Sequence, residues 1–185
     1  MGAIICLLRG VNVGGRNKLP MQALRTLLES LRLRDADTYV QSGNAVFRAT
    51  EANLTRLAER IEDAIERKFR FRPTVILRTA AELKAAVARN PFPRQAQSEP
   101  GKLLVMFLAE APGKDAKEIL AKLPRGREEM KLAGRELFIF FPGGVGQSKL
   151  PWATLGRALG TGATGRNWRT VTKLLEMAED AERDR

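Results

Sequence analysis

Apolar positions fall into short blocks whose period changes along the chain. Ala3 to Leu8 form a continuous apolar run of strand length. Leu24, Leu27, Leu28 and Leu31 then recur at helical spacing, so 20–32 reads as an amphipathic helix with Pro20 at its first position. Residues 37–41 and 44–49 read as strands joined at Ser42-Gly43. Asn53 is placed to cap a second helix carrying Leu57, Ile61, Ile65 and Phe69, which Pro73 stops. A strand over 74–79 completes a β-α-β-β-α-β order.

The second half repeats that order. Strands are expected over 102–109, 128–132 and 135–141, with helices over 114–123 and 148–159 and Gly160 as a C-cap. A short extended piece follows at 161–164. Trp168, Val171, Leu174, Leu175 and Ala178 mark a last helix capped by Asn167. The pattern predicts an α+β chain of two tandem ferredoxin-like (α/β plait, βαββαβ) domains with a C-terminal helix. The boundaries are 1–79 for the first domain, 80–101 for a connecting helix and Pro-rich linker, and 102–185 for the second domain with its terminal helix. The blocks 103–108 and 137–141 are apolar without alternation, so both faces of those strands should be buried. A sister sheet or a second copy of the chain would cover the face without helices. A homodimer is therefore among the expectations, and base stacking on an open sheet face is disfavoured.

Composition narrows the chemistry. One Cys and no His leave no intrachain disulfide, no Cys- or His-rich zinc site and no imidazole base. No metal and no cofactor are expected, and Cys6 reads as inert core. No apolar run approaches the roughly 20 residues of a membrane span, and the first residues match neither a signal peptide nor a myristoylation site, so a cytoplasmic location without membrane association is expected. A net charge of +11 favours polyanionic partners, unless it reflects a generally basic proteome.

Three motifs carry the candidate site. Leu8-Arg9-Gly10-Val11-Asn12-Val13-Gly14-Gly15 links a strand to a helix; it has neither the ending of a Walker loop nor dinucleotide-fingerprint spacing. Gly14-Gly15 can turn N–H groups toward an anion, or can merely satisfy crossover torsions. Gln41-Ser42-Gly43-Asn44 suits a hairpin turn and offers neutral hydrogen-bonding groups. Arg166-Asn167-Trp168 opens the last helix, where Arg166 adds a guanidinium beside free N–H groups. Arg9, Asn12, Gly14, Gly15, Gln41, Ser42, Asn44, Arg166 and Asn167 are the predicted ligand-binding residues, with Ser148-Lys149 as a weaker contact.

With Met21, Phe47 and Thr170, these motifs resemble the bacterial domain of unknown function 1697 family along essentially the whole chain. The resemblance implies two ferredoxin-like domains and no assigned activity. The chain departs from the family at Gly165, where a larger residue is expected.

The motif inventory is rich in Arg, Asn, Gln, Ser and Gly and holds no carboxylate. It suits recognition of an anion better than general acid–base chemistry. The expected function is binding of an anionic ligand (a nucleotide, a phosphorylated metabolite or nucleic acid) in a basic cleft formed by the three motifs. One alternative is an enzyme acting on a phosphorylated or acyl substrate by positioning and charge stabilisation, with Lys18 or Lys149 handling protons; the other is a structural scaffold or homo-oligomer.

Overall fold

Two four-stranded antiparallel sheets and seven α-helices make up the described residues, 1–183, of the computed structural model. In chain order the first set is β1 (Gly2–Arg9), α1 (Met21–Ser30), β2 (Arg34–Tyr39), β3 (Asn44–Ala49), α2 (Leu54–Phe69), β4 (Thr74–Thr79) and α3 (Ala80–Ala88). There follow α4 (Pro93–Ser98), β5 (Leu103–Leu108), α5 (Ala116–Lys122), β6 (Glu129–Ala133), β7 (Glu136–Phe140), α6 (Trp152–Leu159), β8 (Ala163–Asn167) and α7 (Trp168–Arg183). The strand orders are β2-β3-β1-β4 and β6-β7-β5-β8, with every pairing antiparallel.

The residues group into two compact units, Met1–Ala85 with Lys173–Arg185, and Ala86–Thr172. This grouping parts the chain at 85/86 and 172/173, within α3 and α7. Helix α7 begins in the second unit, and its residues from Lys173 onward belong with the first. The segment expected as a linker holds α4, a 3₁₀ turn at Pro100–Lys102 and the buried Phe92. A proline at the first helical position is compatible with a helix, and a buried aromatic side chain anchors the segment.

Each unit builds its core by the same logic. In the first, Ile4, Cys6 and Leu8 of β1 face Leu24, Leu27 and Leu28 of α1 and Leu57, Ile61 and Ile65 of α2. Asn53 caps α2, its side chain accepting from the Arg56 amide at 3.0 Å. The helix ends on Arg70 in the left-handed conformation, three residues before the proline expected to stop it. Of the basic cluster there, Arg72 is spent on Glu62, Asp63 and Glu66 of the same helical segment. In the second unit Leu108, Leu137 and Ile139 pack with Leu120 of α5 and Leu155 and Leu159 of α6. Helix α6 ends on Gly160 at φ +68°.

The opposite faces of the central strands are buried too, at Ala3, Ile5 and Leu7 in β1 and at Val105, Phe107 and Phe138 in β5 and β7. That is the burial expected of runs that do not alternate.

Candidate functional site

The glycine-rich loop folds into a miniature hairpin. Val13 and Arg16 form an isolated antiparallel bridge, with the Arg16 amide donating to the Val13 carbonyl at 3.0 Å. The Asn12 amide likewise donates to the Asn17 carbonyl at 3.1 Å. Gly14 and Gly15 sit between them at φ +57° and +75°, the sign a two-residue hairpin turn of the favoured hand requires at both positions. The glycines are needed here for the turn.

Asn12 ties this hairpin to the Gln41–Asn44 turn. It stands at φ +54°, where asparagine is tolerated better than most residues. Its Nδ2 donates to the carbonyls of Leu19 at 2.9 Å and Gln41 at 2.7 Å, and its Oδ1 accepts from the Leu19 amide at 2.8 Å. Asn17 adds a bond from Nδ2 to the Gly10 carbonyl at 2.8 Å. From the other side, the Leu8 amide donates to the Gly43 carbonyl at 2.8 Å. A Cβ at Gly43 would lie 2.4 Å from Val11 Cγ2 and 2.8 Å from Leu8 Cβ, so only glycine allows the turn to approach β1 this closely. Asn44 is fully buried; its Nδ2 donates to the Tyr39 carbonyl and to Ser42 Oγ, both at 2.9 Å. Between these anchors Val40 is forced to φ +51°, a costly torsion for a β-branched residue.

The predicted residues therefore separate by role. Asn12 and Asn44 are structural ties. Arg9, Gly14, Gly15, Gln41 and Ser42 are exposed on the linked loop and turn, together with Arg16 and Lys18. Nothing lies within 4 Å of where a Cβ would stand at Gly10, Gly14 or Gly15, so this surface is open. Among the described residues, Arg9, Arg16 and Lys18 have no carboxylate partner.

Arg166 and Asn167 lie in the second unit. Arg166 is in β8, opposite Val105, and is buried. Its Nη1 donates to Thr164 Oγ1 and to the Gly165 carbonyl, both at 2.8 Å. Strand β8 extends past the piece expected at 161–164, which turns Arg166 from a helix-end cation into a strand residue. Asn167 caps α7 as predicted, accepting from the Thr170 amide at 2.9 Å, and that occupies one of the donors an anion would have used. A Cβ at Gly165 would meet Met106 Sδ at 2.9 Å and Leu104 carbons at 3.3 Å; side chains of β5 fill the room that a larger residue would take.

Two features are not among the residues the sequence singled out. Arg78 of β4 stands opposite Ile5 and is buried, and its Nη1 donates to the carbonyl of the preceding Leu77 at 3.0 Å. This is the pattern of Arg166, in the same strand of the other sheet. An arginine inside an apolar run was the available signal. The second feature is Glu128, whose Oε1 accepts from Ser148 Oγ at 2.6 Å beside a cavity of about 260 Å³ that Lys149, Gln147 and Gly144 also line. The Ser148 hydroxyl, with the Glu128 and Gly126 amides, holds this carboxyl below the usual glutamate range, against a smaller opposing effect of burial. No group of three or more acidic, Cys or His side chains among the described residues is placed to hold a metal ion. No helix among them is long and apolar enough to cross a membrane.

Comparison with solved structures finds a similar chain described as the structure of conserved bacterial protein SP0830 from Streptococcus pneumoniae. The TM-score is 0.72 at 24% identity, over 95% of this chain and 98% of that one, which is a likeness of fold. No curated protein sequence matches the chain. The family described as "Protein of unknown function (DUF1697)" matches residues 1–138, three quarters of the chain, and it takes in the hairpin loop, the turn it is tied to and the first strands of the second unit: the chain belongs to the DUF1697 family.

Proposed function

We propose that the chain is a tandem of two ferredoxin-like domains and that its first unit binds a phosphate-bearing ligand on the hairpin loop. The strand order, repeated in both sheets with helices on one face, supports the fold reading. One observation carries the binding reading: Asn12 fixes the loop against the turn and leaves Arg9, Arg16 and Lys18 exposed without carboxylate partners. Three cations on a rigid open loop, beside the hydrogen-bonding side chains of Gln41 and Ser42, match phosphate oxygens. The strained Val40 adds weight, since backbone strain is retained where a site needs a fixed shape. An open surface suits the backbone of a nucleic acid better than it suits an enclosed metabolite.

The test is fluorescence anisotropy with a short labelled RNA, titrated between about 50 and 200 mM salt. The variant replaces Arg9, Arg16 and Lys18 by alanine. All three are exposed, so its melting temperature should match the parent's. Binding should weaken in the variant, and the slope of log K against log salt should flatten by about 0.7 for each phosphate that the protein ceases to neutralise. An unchanged slope and affinity would refute the placement.

A second reading has its own support. Asn12, Asn44, Arg166 and Asn167 spend their side chains on the fold, as a scaffold would use them. It predicts that no phosphate-bearing probe binds at any salt.

A further inference from the structure

The second unit leaves open a groove that the first unit closes. In the first unit, α1 runs ten residues and packs along the edge strand β2. Its counterpart α5 has only seven residues, about 10 Å of helix, and does not pack along the edge strand β6 in the same way. Between them lies a groove of about 390 Å³, within the range of small-molecule sites.

Leu120, Leu137, Met130 and Leu132 form its walls and floor. Leu120 and Leu137 are core residues, while Met130 and Leu132 are half-buried against the same core. An aliphatic surface thus continues from the interior to the open edge. Lys117 and Arg125 stand at the rim, both exposed, and no carboxylate lines the groove. Neither cation has a carboxylate partner among the described residues. Arg125 makes only a long hydrogen bond, 3.5 Å, to the Leu120 carbonyl. Lys131, from the alternate position of β6, also lines the groove, with its ammonium over the Phe92 ring.

We propose that this groove binds a free single-chain amphiphilic anion, a fatty-acid-like carboxylate. Its alkyl chain lies along Leu120, Leu137, Met130 and Leu132, and its head group meets Lys117 and Arg125. The aliphatic floor rewards the chain, and the two unpaired cations select against a neutral head group. This site is separate from the hairpin loop of the first unit and does not depend on that reading.

The probe is decanoate, below its micelle concentration, titrated calorimetrically into the full chain. We expect saturable one-to-one binding, with decanol at least about tenfold weaker, a difference of about 1.4 kcal/mol. Arg125→Glu and Lys117→Glu reverse rim charges, and Ala121→Trp fills the groove without changing charge; all three positions are exposed. Each variant should keep the parent's melting temperature and bind decanoate about tenfold more weakly. Absence of saturable decanoate binding overturns the proposal, as does affinity unchanged in both Arg125→Glu and Ala121→Trp. Sedimentation with phosphatidylglycerol vesicles separates the other source of such a chain. Vesicle binding that decanoate does not compete and that Ala121→Trp does not weaken would assign the cations to a membrane surface, and would also overturn the proposal.

Discussion

Replacing Asn12 tests whether the glycine-rich motif is held by one side chain. Alanine removes three hydrogen bonds of 2.7–2.9 Å. Two of them satisfy the amide and carbonyl of Leu19, a residue with no exposed surface. An unsatisfied buried group costs about 1–3 kcal/mol, whereas the Gln41 carbonyl can turn to water and loses less. Alanine must also hold φ +54°, which costs about 1 kcal/mol more than asparagine there. The expected loss is about 2–4 kcal/mol, after allowing for water reaching part of the loop. For a chain of this length it corresponds to a fall of about 5–15 °C in melting temperature. The chain supplies its own assay. Both tryptophans, Trp152 and Trp168, belong to the second unit, and Asn12 to the first. If the units unfold separately, circular dichroism should register an early transition that tryptophan fluorescence does not follow; if they unfold together, both signals shift. Asn12→Gly divides the effect, since glycine relieves the torsion and still lacks the bonds. Asn12→Asp keeps the acceptor for Leu19 but turns an oxygen toward two carbonyls, and should be at least as damaging as alanine. A change below about 0.5 kcal/mol in Asn12→Ala would refute the reasoning, because that is the ordinary effect of a surface substitution.

Gly43→Ala should cost about 2–4 kcal/mol, from the collision with Val11 and Leu8 added to the torsional strain, whereas Gly15→Ala, strained but in open space, should cost only about 1 kcal/mol; equal losses in urea unfolding would show that the close approach is unimportant. Glu128 has its carboxyl held low by the Ser148 hydroxyl, so its contribution is present above the unfolded-state value and lost as pH falls through the folded-state value. Stability curves of the parent and Glu128→Gln should therefore converge in acid and separate toward neutral pH, and parallel curves would remove Glu128 from the acid response.

The elements and much of their order were legible in the chain alone. Runs such as 103–108 and the stripe of Leu24, Leu27 and Leu28 could be read because periodicity is local and each residue's face follows from its neighbours. Caps were legible for the same reason: Asn53, Asn167 and Gly160 act within one turn of where they stand. Which groups the polar side chains of the motifs bond to emerges only in the folded arrangement. Nothing within residues 8–17 says that Asn12 reaches the Gln41 carbonyl, because that bond spans 29 positions. That Gly14-Gly15 form a hairpin turn depends on a bridge between Val13 and Arg16, set by the path of the whole loop. Arg166 looked like a helix-end cation because the extended chain before it gave no apolar signal. Pairing with β5 makes that segment a strand, and Arg166, opposite Val105, is buried there. Local order is set by each residue's own torsions and side chain. The burial and partners of a polar group are set by which distant segment arrives beside it, and that is fixed only when the sheets form.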